Sequence, residues 1–153
     1  MIEGISAVTL GTHEMPRAVR FYCALGFEVL RGNERSSFTS FRAGMSYLNL
    51  IAQPTERRWS WWGRVIFYVA EVDALYERAL AAGCQPTTAP RDAEWGERFF
   101  HLIDPDGHEL SFARPLRSSY RTRVLFVGSR TTDVLCIARI PDCPTHDLID
   151  ACQ

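Results

Sequence analysis

Residues 104–112, DPDGHELSF, place a carboxylate and a hydroxyl at alternate positions of a predicted strand. The strand follows an Asp-Pro-Asp-Gly turn, and because strand side chains alternate between faces, Glu109, Ser111 and Ala113 share one face. Glu109 could give or take a proton there. A carboxylate at position 111 would suggest a metalloenzyme, whereas Ser111 offers only a neutral oxygen, which is a weak ligand for a divalent metal.

Other reactive motifs do not stand out. The sequence contains no GxSxG, no P-loop and no CxxC. Five cysteines are scattered along it: Cys23, Cys84, Cys136, Cys143 and Cys152. Their odd number and spacing fit free thiols in a reducing cytoplasm better than a disulfide framework or a zinc site. We expect Cys23, on a predicted helix, to be packed inside and inert.

The bulk composition describes one globular domain, or two small modules that share a core. The chain has 153 residues, of which 46% are hydrophobic and 23% charged, and its net charge is −1. It therefore has no basic field to attract a nucleic acid. Its apolar runs, such as 65–70, fall short of the ~20 residues that span a bilayer. With no signal-peptide pattern at the N-terminus, we expect a cytoplasmic protein with no nucleic-acid or membrane partner.

Two segments, 7–30 and 64–87, follow one plan. Each begins with a strand, continues into a helix with an apolar face, and ends at a glycine, Gly26 or Gly83, suited to a helix C-terminus. Pro16 suits the first helical turn. The first apolar face consists of Ala18, Val19, Tyr22 and Leu25, and the second of Val72, Leu75, Ala79 and Ala82.

Strand-like segments follow each helix: 27–31, 36–43 and 46–52 after the first, and 84–89, 98–103 and 108–113 after the second. The pattern predicts an α+β fold of two βαβββ modules, because a repeat of this length usually means paired modules around one core. Residues 117–153 belong to neither module, and segments 122–128 and 133–140 could form a β-hairpin.

The chain resembles the glyoxalase/bleomycin-resistance/extradiol-dioxygenase superfamily, also called the vicinal oxygen chelate proteins. The resemblance covers about residues 4–116 and rests on the stretches RAVRFYCALGFEV (17–29), VDALYERALAAG (72–83) and EWGERFFHLIDPDGHELSF (94–112). It implies a domain at 1–116 whose modules, about 4–53 and 63–116, form a cupped mixed sheet around a cavity. It also implies a homodimer, since many members are dimers. Residues 117–153 remain a C-terminal extension of unknown role.

Metal-dependent members of this family place His or Glu at four strand positions. By resemblance, these positions are Ala7, Asn49, Arg64 and Ser111. None is a usual divalent-metal ligand, and the arginine would repel the ion. We therefore expect no metal and no cofactor. The chain is most similar to the metal-free bleomycin-resistance branch, although those proteins tend to be acidic and this chain is nearly neutral, which argues against bleomycin itself.

The resemblance also places a set of side chains in the cup, which we take as the candidate ligand-binding residues: Tyr47, Asn49, Trp62, Arg64, Trp95, Phe99, His101, Glu109 and Ser111. A mostly apolar cavity with a few polar groups is the usual form of a small-ligand site. Structural roles are equally open: Arg64 could simply pair with Glu109, and His101 could be a hydrogen-bonded interior histidine.

Several flanking residues have less specific interpretations. Trp59, Trp61, Trp62 and Trp95 could be ligand-stacking walls or dimer packing. We expect His108 to be a turn residue and His13 to be solvated.

Three functions remain open at this point. The first is a metal-free protein that sequesters an aromatic or amphipathic ligand, such as an antibiotic. The second is a lyase or isomerase with His101 or Glu109 as the candidate acid or base and Arg64 as an anion clamp. The third is an interaction module whose cup is filled by its own side chains. We expect a binding protein rather than an enzyme.

Overall fold

The computed structural model describes residues 2–116, 120–124 and 137–141. The chain divides into two compact units, Met1–Arg114 and Pro115–Gln153. The elements of the first module are β1 (Ala7–Thr12), α1 (Met15–Ala24), β2 (Val29–Arg31), β3 (Phe38–Ala43) and β4 (Ser46–Ala52). Those of the second are β5 (Arg64–Tyr68), α2 (Val72–Ala81), β6 (Arg91–Asp92), β7 (Glu97–Ile103) and β8 (Glu109–Pro115).

The two modules repeat one sheet topology. The first sheet has the order β1-β4-β3-β2 and the second β5-β8-β7-β6. In each, the strand before the helix pairs in parallel with the last strand of the module, so that Ala7 lies opposite Tyr47 and Arg64 opposite Glu109. The predicted α+β fold of two βαβββ modules is confirmed.

Each helix covers one face of its sheet. Helix α1 begins around Pro16, buries Ala18, Val19 and Tyr22, and is followed by Gly26 with φ of 97°. This left-handed backbone suits glycine, which has no Cβ to strain it. Helix α2 buries a narrower face, since Val72 and Ala79 are buried while Ala82, predicted to lie inside, is exposed.

The core lies on the helix-covered side of both sheets and is continuous between the modules. Phe27 makes an edge contact with Phe67, with ring centroids 5.1 Å apart, and Phe67 stacks on Phe112 at 5.6 Å. Because the helices occupy one face of each sheet, the other face is left without a helix. The alternate residues of β5 on that face, Ile66 and Tyr68, are 58% and 61% exposed.

A second junction between the modules is polar. The Tyr22 hydroxyl in α1 donates to the Asp104 carboxylate at 2.8 Å, and both residues are buried. Asp106 accepts hydrogen bonds from the Thr12 hydroxyl at 2.6 Å and from the His13 backbone N–H at 3.0 Å. The Asp-Pro-Asp-Gly turn thus anchors the start of α1 as well as preceding β8.

Two predictions, one about a segment and one about a single residue, are wrong. Residues 84–89 form no strand, because Pro86 has no backbone N–H to donate to a neighbouring strand. The segment makes two isolated hydrogen bonds with His101. The Thr87 N–H donates to the His101 carbonyl, and the His101 N–H donates to the Thr88 hydroxyl. The corresponding short strand is β6. Cys23 is exposed rather than packed inside, because it lies outside the buried face of α1.

In the second unit, β9 (Tyr120–Val124) pairs antiparallel with β10 (Ile137–Pro141). Parts of the segments expected to form a hairpin, including the turn between them, lie outside the described residues. In the described part of the chain, no helix has the length and apolarity needed to cross a membrane.

Candidate functional site

The helix-free face of the second module carries the main polar constellation. The parallel register of β5 and β8 sets Arg64 beside Glu109, and their side chains form an ion pair with an N–O distance of 3.1 Å. Both side chains are about one-third exposed, at 37% and 32%, so each can still be reached by a ligand. The alternative in which these two residues pair with each other is therefore realised.

His101, on β7, lies against the same arginine. Arg64 Nη1 is 2.7 Å from Nε2 of the imidazole. Burial of the ring, followed by the positive charges of Arg64 and Arg91, lowers the pKa of His101 below its ordinary value. The imidazole is therefore neutral at neutral pH and can accept a hydrogen bond.

An aromatic layer continues from His101 toward the edge of the sheet. Trp95 stacks on Phe99 with centroids 5.5 Å apart, and Phe99 lies 4.9 Å from the His101 ring. The Arg91 guanidinium sits over the Phe99 ring at 5.1 Å, within the range of a cation–π contact. The Trp95 indole N–H donates to Glu97 at 3.0 Å, so this predicted stacking residue is held by its neighbour while 70% exposed.

The four positions that the resemblance assigns to metal ligands carry an unsuitable donor set. Ala7 has no donor, Ser111 is 3% exposed and lies opposite Ile66, and the Asn49 amide donates to the Thr9 hydroxyl at 3.3 Å. The fourth is Arg64, a cation. Within residues 2–116 and the described strands beyond them, no three His, Cys, Asp or Glu side chains come together as metal ligands. The residues present therefore do not fit a divalent metal centre.

A cleft of about 650 Å³ opens between the two modules. Its lining includes three of the predicted ligand residues: Tyr47, Trp62 and Arg64. Six others, Asn49, Trp95, Phe99, His101, Glu109 and Ser111, do not line it. Arg64 thus connects the polar face to the cleft, because it lines the cleft and contacts both His101 and Glu109.

The cleft is not filled by its own aromatic side chains. Its walls include half-buried apolar residues from both modules, among them Val8, Phe27, Val65 and Phe67. A volume in the range of ~300–1,000 Å³ is usual for small-molecule sites. This space argues against an interaction module with a solidly packed cup.

The role of His108 was missed. It is 4% exposed, accepts a hydrogen bond from the Trp62 indole at Nδ1 over 3.0 Å, and lies 2.8 Å from the Gly11 carbonyl through Nε2. Trp59 stacks on its ring at 5.2 Å and donates to the Asp106 carbonyl at 2.9 Å. Trp59 and Trp62, in the linker between the two modules (53–63), are therefore held against the turn before β8. The sequence offered one indication of this contact: a histidine follows the DPDG turn directly, and several tryptophans lie in the linker.

His13 is half-buried rather than solvated, with its ring centroid 4.4 Å from that of Trp59. Among the tryptophans, Trp61 and Trp62 are the exposed members of the linker, at 71% and 48%. Two of the five cysteines, Cys23 and Cys84, are free thiols; Cys136, Cys143 and Cys152 lie outside the described residues.

Comparison with known proteins places this geometry in a family. The model of the Glyoxalase/Bleomycin resistance protein/Dioxygenase superfamily matches residues 4–112. Similar solved structures include a bleomycin resistance determinant encoded on the transposon Tn5, which is 21% identical with a TM-score of 0.61 and covers 74% of this chain and 98% of its own. A bleomycin-binding protein complexed with bleomycin is 22% identical with a TM-score of 0.59, over 74% and 98% of the two chains.

A third structure, TioX from Micromonospora sp. ML1, is 24% identical with a TM-score of 0.61. The match covers 74% of this chain and 100% of TioX. These likenesses show the fold. Among curated sequences, an uncharacterized protein of Mycobacterium tuberculosis is 45% identical over 49 residues, which is 32% of this chain and 29% of that protein. The match spans about a third of a similar Mycobacterium bovis protein, at 32% of its length.

Proposed function

Because the chain belongs to the Glyoxalase/Bleomycin resistance protein/Dioxygenase superfamily, we propose that it is a metal-independent small-molecule binding protein of the bleomycin-resistance type. It sequesters an aromatic or amphipathic compound, such as an antibiotic, without converting it. The binding function lies in residues 1–116, with 117–153 as an extension to that domain.

The observation that carries this proposal is the open apolar cleft beside Arg64. The cleft supplies apolar walls, and the Arg64–His101–Glu109 constellation supplies a few convergent polar groups at its side. This combination is typical of small-ligand sites. The unsuitable donor set at Ala7, Asn49, Arg64 and Ser111 supports the metal-independent part.

We further propose that the protein is a cytoplasmic homodimer. Ile66 and Tyr68 expose large apolar surfaces on the helix-free face of β5, and a second copy would cover such a face and enclose a ligand between subunits. The free thiols of Cys23 and Cys84 fit a reducing compartment.

The test is to incubate the purified protein with a panel of aromatic antibiotics and related compounds, separate the complex by gel filtration, and analyse the bound fraction by mass spectrometry. Recovery of an unchanged compound from a stoichiometric complex supports sequestration. Conversion of the bound compound to a product of different structure contradicts it.

One observation favours a second candidate, a lyase or isomerase. The neutral His101 imidazole and the Glu109 carboxylate both contact the Arg64 guanidinium, so an acid or base stands beside a group that could hold a substrate carboxylate. In an isomerisation, a proton leaves a carbon next to a carbonyl and is returned to the substrate at another atom. In a lyase reaction, the same proton leaves while the bond to a leaving group on the neighbouring carbon breaks and a double bond forms between the two carbons. Turnover that survives both Glu109→Gln and His101→Gln would exclude it.

A further inference from the structure

Among the described residues, the charged side chains that line the cleft between the modules all carry one sign. In the part of the chain that the structure describes, only two charged side chains line the cleft, and both are arginines: Arg42 on β3 and Arg64 on β5. No Asp or Glu among the described residues belongs to its lining. The rest is chiefly apolar and aromatic. It includes the hydroxyl groups of Tyr47, of Ser46, which donates to the Ile5 carbonyl, and of Tyr68, which donates to the Glu97 carboxylate.

Both arginines retain donors for a ligand. Arg42 uses Nε to reach Glu28 at 3.2 Å, while Arg64 uses Nη2 for Glu109 and Nη1 for His101. A guanidinium carries five N–H donors, so neither group is exhausted by these contacts. Glu28 and Glu109 each offset part of the charge of their arginine, at 3.2 Å and 3.1 Å. Neither carboxylate lines the cleft, so the groups that a ligand there would contact are the guanidinium N–H donors.

The two kinds of side chain lie at different depths. Arg42 and Arg64 are exposed, with side chains 55% and 37% accessible, whereas Val8, Phe27 and Phe67 are half-buried. A ligand that inserts an apolar body against the half-buried walls would leave its outer end beside the arginines. Such a ligand would also exclude water from them, which strengthens their attraction for a negative group.

We propose that the ligand of this cleft is an amphipathic anion: an aromatic or aliphatic body bearing one carboxylate, sulfonate or phosphate group. This inference rests on the proposed binding function and specifies its ligand class. A cationic ligand of the same size would meet two arginines in the lining, where no carboxylate of the described residues takes part. The cleft of about 650 Å³ has room for a body of two or three rings.

Two fluorescent probes with one skeleton test the charge directly. 8-Anilinonaphthalene-1-sulfonate is anionic, and N-phenyl-1-naphthylamine is the same ring system without the sulfonate. Titration of the full chain should give binding of the anion with one site per chain, about tenfold or more tighter than the neutral probe, which is the scale of one charge-assisted contact. Equal or tighter binding of the neutral probe would overturn the inference while leaving small-molecule binding intact.

Variants locate the effect. Arg42→Gln and Arg64→Gln should each weaken sulfonate binding about tenfold and leave the neutral probe within about twofold, and Arg64→Lys should preserve most of the preference for the anion. The control is Arg20→Gln, which removes a comparable exposed pair with Glu34 and does not line the cleft. A loss in Arg20→Gln as large as in Arg42→Gln would contradict the assignment to this cleft. If neither probe binds, the proposed function fails together with the inference.

Discussion

Arg64 and His101 are joined by a hydrogen bond of 2.7 Å although both side chains can carry positive charge. An arginine nitrogen can only donate, so the imidazole nitrogen that it contacts must be unprotonated. The lowered pKa of His101 has the same consequence. The neutral His101 therefore acts as a hydrogen-bond acceptor for Arg64 on this face.

The lowered pKa of His101 predicts a dependence of stability on pH. The ordinary pKa is 6.5, and burial with Arg64 and Arg91 lowers it in the folded state. The unfolded chain thus takes up a proton at a higher pH than the folded chain does, so the stabilisation is present above pH 6.5 and is lost as pH falls through the lower folded value. Urea unfolding between pH 8 and pH 5 should show this loss, and His101→Gln should make it smaller. Parallel pH profiles for the two proteins would be the contrary result.

The Arg64–Glu109 ion pair should contribute little to folding. Both side chains are about one-third exposed, and such pairs are worth about 0.2–1 kcal/mol. A double-mutant cycle with Arg64→Gln and Glu109→Gln, followed by chemical unfolding, should give a coupling free energy in that range. A coupling above about 2 kcal/mol would mean that the pair is primarily structural, against its role in ligand binding.

The buried hydrogen bond from Tyr22 to Asp104 should matter far more. Removing the hydroxyl in Tyr22→Phe takes one donor from a buried carboxylate, which also accepts from the backbone N–H groups of Asp106 and His108. We expect a loss of about 1–3 kcal/mol in the free energy of unfolding. Tyr76→Phe is the control, since Tyr76 is only half-buried and packs its ring against Phe100. Equal losses in the two variants would show that the hydrogen bond is not the cause.

His108 should hold the linker to the second module. Its Nδ1 accepts from Trp62 and its Nε2 lies 2.8 Å from the Gly11 carbonyl, a pattern that only the neutral tautomer with a proton on Nε2 satisfies. His108→Ala leaves both partners without this contact and removes the surface on which Trp59 stacks. We expect a cost of about 2–3 kcal/mol and a red shift of tryptophan emission in the native state. Unchanged emission and stability would show that the linker is held by other contacts.

The faces on which strand residues lie were largely predictable because period-two alternation assigns every second residue to one face. Arg64, Ile66 and Tyr68 share one face of β5, and Ser111 lies directly opposite Ile66. The helices were predictable from their apolar spacing, although the second buries less than its pattern indicated. These features depend on local periodicity, which a single sequence displays.

The contacts that could not be predicted join distant, aperiodic segments. The linker has no repeating pattern from which the stacking of Trp59 on His108 could be inferred. Arg42 and Arg64 come from different modules and line the same cleft. Only the packing of the modules reveals that these two positive charges lie in one lining. All nine predicted ligand residues were assigned to one cup, whereas in the structure three line the cleft and the other six do not.

The central claim is that the protein binds an organic ligand without a metal. Native mass spectrometry of the purified protein, with metal analysis of the same sample, tests it most directly. We predict a dimer that retains a small organic molecule or takes up 8-anilinonaphthalene-1-sulfonate, with no divalent metal at stoichiometric level. A stoichiometric divalent metal would contradict the account and would make a metal-dependent enzyme the better explanation.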